Sequence, residues 1–436
     1  MPADNTVNTT PQTLRELSCA DDYDPDSMPV AKAREHIASF LTPVIATERI
    51  NVRAALGRVL AEDIMSPLDV PAHDNSAMDG YALRFDDLRA DGSVTLAVVE
   101  ETAFAGRPIA HTLQPGEAAR IMTGGVLPQG ADTVVMQEVA TREGRTVTIP
   151  PLRDARVRAR GTNTRKAGED LRRGSIALER GWRINPAEMG MVASLGINEI
   201  SVYRKLRVAF FSTGDELRSV GQPLGPGEIY DSNRYTIHGM LTRVGCDVLD
   251  MGVVVDEPSA VERAFAVAAD NADVVITSGG VSVGEADYIK PVLAKLGEVL
   301  FWKVAMKPGR PLAYGRLGRA HFFGLPGNPV SVMATFYQFV REPLMRLSGQ
   351  TRVPPLPTFG VRLKTPVKKA PGRTEFQRAI YAIDADGTPA VTIASNQGSG
   401  VLSSMSRANC FVILGDDIGD VAAGALVDVQ MFEGII

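Results

Sequence analysis

The chain has 436 residues, 44% of them hydrophobic and 22% charged, which is ordinary for a globular protein and enough for about two to four domains. The formal net charge of −5 argues against a general binder of nucleic acid or membrane surfaces, so an anionic ligand must meet a local basic pocket. The three cysteines, Cys19, Cys246 and Cys410, are scattered and indicate neither a disulfide framework nor a zinc site.

The first 150 residues change from polar to β-like. Residues 1–27 are rich in Thr, Asp and Pro, which predicts a disordered leader, and they lack the apolar core of a signal peptide. No apolar run is long enough to span a bilayer, so we expect a cytoplasmic protein. Apolar residues between Pro29 and Leu41 share one helical face. Residues 50–150 hold short β-like runs between Gly and Pro turns, which predicts a small β-rich domain with strands over 95–99, 133–139 and 146–149.

Residues 151–180 are basic, and such a run is most often a solvated surface segment. From Leu206, strand and helix candidates alternate, which predicts a mostly parallel sheet covered on both faces. The strand candidates are 207–212, 247–255, 273–277, 299–304 and 321–325, and the helix candidates are 234–245, 258–271, 286–296 and 329–347. After Gly349 a proline cluster is typical of a linker. Residues 358–436 hold short alternating segments and no convincing helix, which favours a β-barrel or sandwich.

Ligands of open α/β sheets bind beyond the carboxyl ends of the strands, so the segments that follow each strand are the candidate site. Segment 211–217 (FSTGDEL) places Asp215 and Glu216 at a strand exit, where carboxylates suit Mg²⁺. A helix cap or turn acid is the alternative.

Segment 277–288 (TSGGVSVGEADY) combines a strand, a glycine turn and a helix start, which is typical of a phosphate or nucleotide site. Gly279, Gly280 and Ser282 let backbone N–H groups approach an anion, and Asp287 lies in the first helical turn. The segment is neither a Walker A loop nor a GxGxxG motif. A glycine turn with a capping acid remains the alternative.

Two more segments follow strands. In 303–311 (KVAMKPGRP), Lys303, Lys307 and Arg310 form a cation cluster suited to an oxyanion, unless they are plain surface charges. In 325–331 (LPGNPVS), Asn328 is placed to cap a helix whose free N–H groups would cradle an anion, although structural punctuation explains the same pattern. In the β-rich region, Asp79 of NSAMDGYA and Thr123 of RIMTGG lie in glycine turns that, taken singly, are more typical of turns than of sites.

Together these segments resemble the molybdopterin molybdenumtransferase family, which includes bacterial members and the E domains of gephyrin and its plant relatives. The resemblance runs from about Pro29 to the C-terminus. Eight motifs occur in the family's order: NSAMDGYA, RIMTGG, GEDL, FSTGDEL, IYDSNR, TSGGVSVGEADY, KPGRP and LPGNPVS.

The resemblance implies a multidomain α/β plus β protein that forms an elongated homodimer. A discontinuous helical and β domain (28–49 and 151–205) would carry the inserted β-rich domain (50–150). The central, mostly parallel α/β sandwich (206–349) would hold the pocket, and residues 350–436 would form a C-terminal β-barrel. In this family the pocket lies between the α/β domain of one subunit and the β-rich insert of its partner.

Carried over residue by residue, the resemblance implies roles for individual side chains. The residues implied in catalysis are Asp79, Thr123, Asp170, Glu216, Asp256, Asp287, Lys303 and Lys307. Glu216 and Asp287 would hold Mg²⁺, and the two lysines would bind molybdate or the pterin phosphate. The residues implied in substrate binding are Arg165, Gly279, Gly280, Ser282, Pro326, Pro329 and Ser399, with Ser403 in the same Ser- and Gly-rich stretch.

The implied reaction is the last step of molybdenum cofactor synthesis, in which molybdate enters adenylylated molybdopterin and AMP is released. The implied partners are the molybdopterin adenylyltransferase and molybdoenzyme maturation factors, with no nucleic acid and no membrane. Two other functions stay open. The first is an adenylyltransferase that makes the activated pterin, although the inserted β-rich domain and the C-terminal barrel favour the molybdenumtransferase. The second is a scaffold with a vestigial pocket, although the intact carboxylates and lysines argue against it.

Overall fold

The computed structural model describes residues 28–279 and 289–432, so the predicted leader and the candidate residues Gly280, Ser282 and Asp287 lie outside the described residues. The first elements are a helix and two short strands: α1 (Val30–Ser39), β1 (Thr47–Asn51) and β2 (Ile64–Met65). Ala33 and Ile37 of α1 are buried against the central unit described below, which accounts for the apolar face that the sequence predicts.

Six of the next eight strands form a mixed sheet, and the other two are two residues long and pair with each other. They are β3 (Asn75–Ser76), β4 (Gly80–Leu83), β5 (Val94–Ala103), β6 (Glu117–Ile121), β7 (Thr133–Met136), β8 (Thr141–Glu143), β9 (Thr146–Ile149) and β10 (Thr164–Arg165). The sheet order is β7-β4-β6-β5-β9-β8, and its apolar side chains form their own core. The prediction of a β-rich insert is therefore confirmed, and the three strands expected from alternation are present.

After β10 the chain returns to the first unit through β11 (Ile176–Leu178), α2 (Pro186–Ser194) and β12 (Glu199–Tyr203). β12 pairs with β1, and β11 pairs with β2, both antiparallel. Residues 52–64 therefore pack with residues 178–202 rather than with the six-stranded sheet, so the insert begins later than residue 50. The shift arises because pairing between strands 150 residues apart leaves no local signal in the sequence.

The central unit alternates strands and helices. Its elements are β13 (Arg207–Thr213), β14 (Leu217–Arg218), β15 (Ile229–Tyr230), α3 (Ser232–Val244), β16 (Asp247–Val254), α4 (Pro258–Asn271), β17 (Val274–Ser278), α5 (Ile289–Leu296), β18 (Gly297–Lys303), β19 (Met306–Lys307), β20 (Pro311–Leu317), β21 (Ala320–Leu325), α6 (Pro329–Thr335) and α7 (Arg341–Leu347). The sheet order is β16-β13-β17-β21-β20-β18. The first four strands are parallel, and β20 and β18 add an antiparallel edge, so the predicted mostly parallel sheet is confirmed.

Helices cover both faces of this sheet. Phe210 of β13 points to the face covered by α3, α6 and α7, whereas its neighbour Phe211 points to the face covered by α4 and α5. This alternation explains why β13 reads as a continuous apolar run. A parallel sheet buried on both faces leaves its carboxyl edge as the open place for a ligand.

The helix predicted over 329–347 is not uniform. A π-helical turn at Phe336–Val340 separates α6 from α7. The physical reason is Pro343, which has no N–H to donate to the carbonyl of Phe339 and whose ring crowds that carbonyl. Gln338, inside the wide turn, is buried and donates to Gln430 Oε1 at 2.7 Å, which ties the turn to the C-terminal unit.

The C-terminal unit is a closed five-stranded barrel. Its elements are β22 (Thr358–Leu363), β23 (Thr374–Ile383), β24 (Pro389–Ile393), α8 (Leu402–Arg407), β25 (Cys410–Leu414) and β26 (Leu426–Met431). β23 pairs with both β24 and β25, which closes the barrel as predicted. The expectation of no helix here is wrong, because α8 forms from LSSMSR, a short segment without apolar periodicity.

Two features concern the whole described chain. All eight basic residues of the 151–173 run are exposed, as expected for a solvated segment; they are Arg153, Arg156, Arg158, Arg160, Arg165, Lys166, Arg172 and Arg173. A search of the described helices found none with the length and apolarity to cross a membrane.

Candidate active site

A cavity of about 760 Å³ opens at the carboxyl ends of β13 and β17, between the central sheet and the barrel. We call it the main cavity. Its described lining residues are Thr213, Gly214, Glu216, Asp256, Gly279, Met306, Lys307, Pro308, Gly309, Arg310, Pro311, Pro326, Gly327, Asn328, Ser331, Arg373, Gln397, Gly398 and Ser399. Segments far apart in sequence therefore meet here, as the rule for open α/β sheets requires.

A second cavity of about 560 Å³ adjoins the first, and we call it the side cavity. The two cavities share Thr213, Glu216, Gly279, Gly327 and Asn328, so they lie side by side, and we call them together the cleft. The other described lining residues of the side cavity are Leu217, Ile229, Tyr230, Asp231, Ser232, Asn233, Ser278, Pro329, Gly400 and Leu402.

Two backbone loops, which contain Gly279 and Gly327, line both cavities. Gly279 has φ +91°, and a Cβ there would lie 2.7 Å from the carbonyl oxygen of Thr213, so only glycine fits. Asn233, which is 8% exposed, donates to Ser278 Oγ at 2.9 Å and to the Gly327 carbonyl at 2.6 Å. This amide therefore holds the TSGG loop and the LPGN loop together.

Lys307 is a cation of the main cavity that forms an ion pair with the barrel. Its strand, β19, pairs in parallel with β23 of the barrel, with Lys307 opposite Glu375. The Lys307 Nζ lies 3.3 Å from Oε1 of Glu375, which is buried, and Gln377 donates to the other oxygen at 2.7 Å. The barrel thus supplies the counter-ion that orients the lysine.

The other predicted lysine is placed differently. Lys303 ends β18 and is not among the described residues lining either cavity. Arg310 does line the main cavity, as does Arg373, which comes from the loop before β23. The main cavity therefore gathers three cationic side chains from two units of the chain.

Carboxylates also line the main cavity. Glu216 and Asp256 line the main cavity. Burial raises the pKa of the Asp256 carboxyl, and the negative charges of Asp215 and Glu216 raise it further. The charges of Asp215 and Glu216 therefore disfavour the charged form of Asp256. Across residues 28–279 and 289–432, no group of three His, Cys, Asp or Glu side chains is already arranged to hold a metal ion.

A barrel loop completes the cavity wall. Arg378 is 1% exposed and donates to the carbonyls of Asn396 and Gly398 at 3.0 Å each. The carbonyl of Ser399, the next residue, accepts from the Val330 N–H at the start of α6 at 3.0 Å. Ser399 therefore lines the main cavity as its predicted role requires, whereas Ser403 is exposed on α8 and lines neither cavity.

The candidates of the β-rich insert and of the hinge that follows it lie outside the cleft. Asp79 Oδ1 accepts from both the N–H and the hydroxyl of Thr123 at 2.7 Å, and these bonds hold the pKa of Asp79 below its usual range. Arg165 pairs with Asn75 across β10 and β3, and the Asp170 N–H donates to Val70 O at 3.0 Å. None of the four candidates lines either cavity of its own chain.

Sequence reasoning missed part of the cleft. Arg373 lies in a barrel loop that no motif marks, and Gln397 lies in the Ser- and Gly-rich stretch but was not itself a candidate. Thr213, Met306 and Ser331 lie inside candidate segments, but the sequence did not single them out. Asn328 is the N-cap residue of α6, but its side chain makes no cap hydrogen bond, so the capping prediction is wrong. The Asn328 side chain is exposed and lines the cleft instead.

The described cysteines are poor nucleophiles. Burial raises the pKa of the Cys246 thiol to about 12 and that of Cys410 to about 11. Neither lines the cleft. The described cleft therefore offers charges, hydrogen-bond donors and backbone loops, which position and stabilise ligands rather than attack them.

Three protein-family models match this architecture. The MoeA N-terminal region (domain I and II) matches residues 28–196, a probable molybdopterin binding domain matches 209–346, and the MoeA C-terminal region (domain IV) matches 360–432. The matched units define a multidomain protein built around a molybdopterin-binding domain.

Individual relatives agree with these matches. The chain is 44% identical to the molybdopterin molybdenumtransferase of Haemophilus influenzae, over 93% of this chain and 98% of the relative. It is 42% identical to that of a Nostoc species over 70% of each chain. The crystal structure of a molybdopterin biosynthesis moeA protein from Pyrococcus horikoshii OT3 superposes with a TM-score of 0.79 at 28% identity, covering 93% of this chain and 100% of that one. The chain belongs to the MoeA family of molybdopterin molybdenumtransferases.

Proposed function

We propose that this protein inserts molybdate into adenylylated molybdopterin, giving the molybdenum cofactor and AMP. The observation that carries the proposal is the convergence of Lys307, Arg310 and Arg373 on one cavity, which Glu216 and Asp256 also line. Molybdate is a dianion, and the pterin carries a phosphate, so both need cations that a chain of net charge −5 offers only locally.

The chemistry needs no protein nucleophile. The dithiolene sulfurs of the pterin form bonds to molybdenum and replace oxo ligands of molybdate, each of which leaves as water with protons from the dithiol and the solvent. A further water adds to the phosphoanhydride and breaks its P–O bond, which releases AMP and leaves the phosphate on the pterin. The side chains of the main cavity hold the two substrates in contact and offset their charge. Rate acceleration then comes from orientation and electrostatic stabilisation.

Magnesium fits the acidic wall of the cavity. The Asp256 pKa is raised partly by the charges of Asp215 and Glu216, and a divalent cation would relieve that repulsion. We propose that Glu216 and Asp287 hold the ion, with Asp256 nearby. When bound, Mg²⁺ would polarise the phosphoanhydride.

We propose that a second copy of the chain completes the site. The Asp79–Thr123 pair lies on the insert, and Arg165 and Asp170 lie on the hinge that follows it; none of them lines the cleft of its own chain. The family resemblance implies that the insert of one subunit covers the pocket of the other. The active form is then a cytoplasmic homodimer. It receives its substrate from the adenylyltransferase and passes its product to maturation factors.

The first test is AMP release by the purified protein from adenylylated molybdopterin, Mg²⁺ and molybdate. Molybdate-dependent release supports the transferase. Consumption of ATP and free molybdopterin to form the adenylylated pterin would instead identify an adenylyltransferase. Pterin binding without either reaction would identify a scaffold. Asp287→Ala is expected to lose turnover while keeping its fold, and a fully active variant would contradict the metal proposal.

A further inference from the structure

One edge of the central sheet is apolar along its length. β18 is the last strand in the sheet order, and it pairs with β20 on one side only. Among the described residues, no strand pairs with its outer side. Its sequence, GEVLFWK, has four consecutive apolar residues and no proline. An edge of this kind is a template for any extended chain, and native proteins cover such edges or place charges on them.

The first described residue of the chain already pairs with the continuation of this edge. The Met28 N–H donates to the Lys303 carbonyl at 2.7 Å, and the Met28 carbonyl accepts from the Ala305 N–H at 2.7 Å. Met28 thereby forms a parallel bridge with Val304, and both side chains are buried in the same core. Because the bridge is parallel, the residues that precede Met28 are aimed along the outer side of β18.

The alternation of the backbone shows which groups of β18 face outwards. The Val304 N–H donates at 2.7 Å to the carbonyl of Arg310, on the side of β20, whereas the Lys303 carbonyl faces Met28. The odd-numbered residues of β18 therefore turn their N–H and C=O groups away from β20. These are the backbone groups that an added strand would meet.

The sequence before Met28 suits this position. If the parallel pairing continues, Asp24 and Asp26 bond to β18, and the residue between them, Pro25, falls where an N–H would face away from the sheet. That is where an edge strand tolerates proline. Tyr23 falls beside Val299, which is half-buried, and aromatic and β-branched neighbours on adjacent strands stabilise each other. The two aspartates leave the new outer edge charged, which discourages further pairing.

We propose that residues 23–27 add to β18 as a seventh, parallel strand of the central sheet, so that the chain covers its own apolar edge. The family match begins at residue 28, so this strand lies outside the matched region. The sequence predicts disorder for residues 1–27, and the proposal confines that prediction to the residues before Tyr23. The proposal does not depend on the transferase reaction, because it concerns backbone pairing without any ligand.

The test is hydrogen exchange of individual backbone amides in the full-length protein, measured by mass spectrometry with residue resolution. Asp26→Pro removes an N–H that would donate to the Phe301 carbonyl. We expect it to speed exchange of the Phe301 and Lys303 amides by about tenfold or more, because both lose their partners in the added strand. The Leu300 amide faces β20 and serves as the internal reference. The matched control, Ser27→Pro, changes a residue whose N–H faces away, and it keeps the wild-type exchange rates. Equal exchange in Asp26→Pro and the wild type would overturn the proposal.

A second copy of the chain is the other candidate occupant of this edge, and dilution separates the two. Protection by the chain's own leader is independent of protein concentration, whereas protection by another copy weakens on dilution. A second variant lacks residues 2–26 and therefore the added strand, and we expect its Phe301 amide to exchange about tenfold faster or more. Protection that weakens on dilution, or that survives the deletion, would overturn the proposal.

Discussion

At the scale of single residues, the Lys307–Glu375 pair shows how the cleft handles charge. The Lys307 side chain is about half exposed to solvent, whereas Glu375 is 6% exposed and accepts a second hydrogen bond from Gln377. A buried carboxylate is stable only with such partners. The lysine has three donors, so one can stay on Glu375 while the others meet an oxyanion.

Lys307→Gln is expected to raise the molybdate KM by at least about tenfold, because the variant loses a charged hydrogen bond and leaves Glu375 to repel the dianion. The measurement is AMP release against molybdate concentration. The control is Lys295→Gln, which removes an exposed lysine of α5 that pairs with Glu262. This variant keeps the wild-type KM for molybdate. An unchanged KM in Lys307→Gln would exclude the lysine from the anion site.

His321 makes a prediction about pH. It is 3% exposed on β21 next to the Tyr314 hydroxyl at 3.2 Å, and burial lowers its pKa from 6.5 to about 4. The unfolded chain therefore binds this proton more readily than the folded protein, so stability falls as pH drops from 6.5 towards 4. The loss is at most about 3 kcal/mol. His321→Asn should flatten this part of the stability curve, measured by urea unfolding at several pH values. A variant with the same slope as the wild type would show that other groups cause it.

At the scale of elements, glycine loops set the shape of the cleft. Gly279 and Gly318 both have a left-handed φ, of +91° and +58°. A Cβ at Gly279 would press on the Thr213 carbonyl, whereas one at Gly318 would meet nothing within 4 Å. The two positions therefore separate backbone strain from loss of the site.

We expect Gly279→Ala to weaken AMP binding by about tenfold or more, because the loop must move to relieve a contact worth about 1–3 kcal/mol. Gly318→Ala carries the same kind of backbone strain at the tip of the β20–β21 hairpin and should bind AMP normally. Calorimetric titration with AMP, together with thermal unfolding of both variants, makes the comparison. Equal AMP affinity in the two variants would show that the TSGG loop does not touch the nucleotide.

The elements of the central unit were predictable because their signals are local. Apolar runs marked β13 and β17 to within about one residue, and the helix predicted over 258–271 is α4. Turns rich in glycine and proline then located most of the segments that line the cleft. The π-helical turn before Pro343 and the short helix α8 were missed, because their causes act on a single turn that periodicity does not resolve.

Long-range features were beyond local reasoning. The pairing of β1 with β12 moved the start of the insert, and Arg373 reached the cavity from another unit. Helix α2 was also missed, although Pro186 begins it and the Asn185 N–H donates to Glu188 at 2.8 Å. Asp79 and Thr123 stood out in the sequence only as members of glycine turns, and their roles came from the family resemblance, because nothing in those turns points to a distant cleft.

At the scale of the whole molecule, the separation of Asp79 from the main cavity makes a prediction about subunits. If each site combines Asp79 of one copy with Lys307 of the other, a mixed dimer of Asp79→Asn and Lys307→Gln chains contains one intact site. Random reassociation would make half of the dimers mixed, so activity should recover to about a quarter of the wild-type value. The measurement is AMP release, at a molybdate concentration far below the KM of Lys307→Gln, after the two impaired variants are unfolded and refolded together. No recovery, with mixed dimers confirmed by mass spectrometry, would place both residues in a site within one chain.

The pairing of β19 with β23 has a consequence for motion. Lys307 belongs to the central unit by covalent connection, but its backbone lies in the hydrogen-bonded ladder of the barrel. A hinge that opened the cleft by swinging the barrel outwards would have to break that ladder and the contact between Ser399 and Val330. Separation of the two walls of the main cavity is therefore opposed by backbone hydrogen bonds as well as by side-chain packing. The same hydrogen bonds fix where Lys307 stands relative to the barrel loop that carries Ser399.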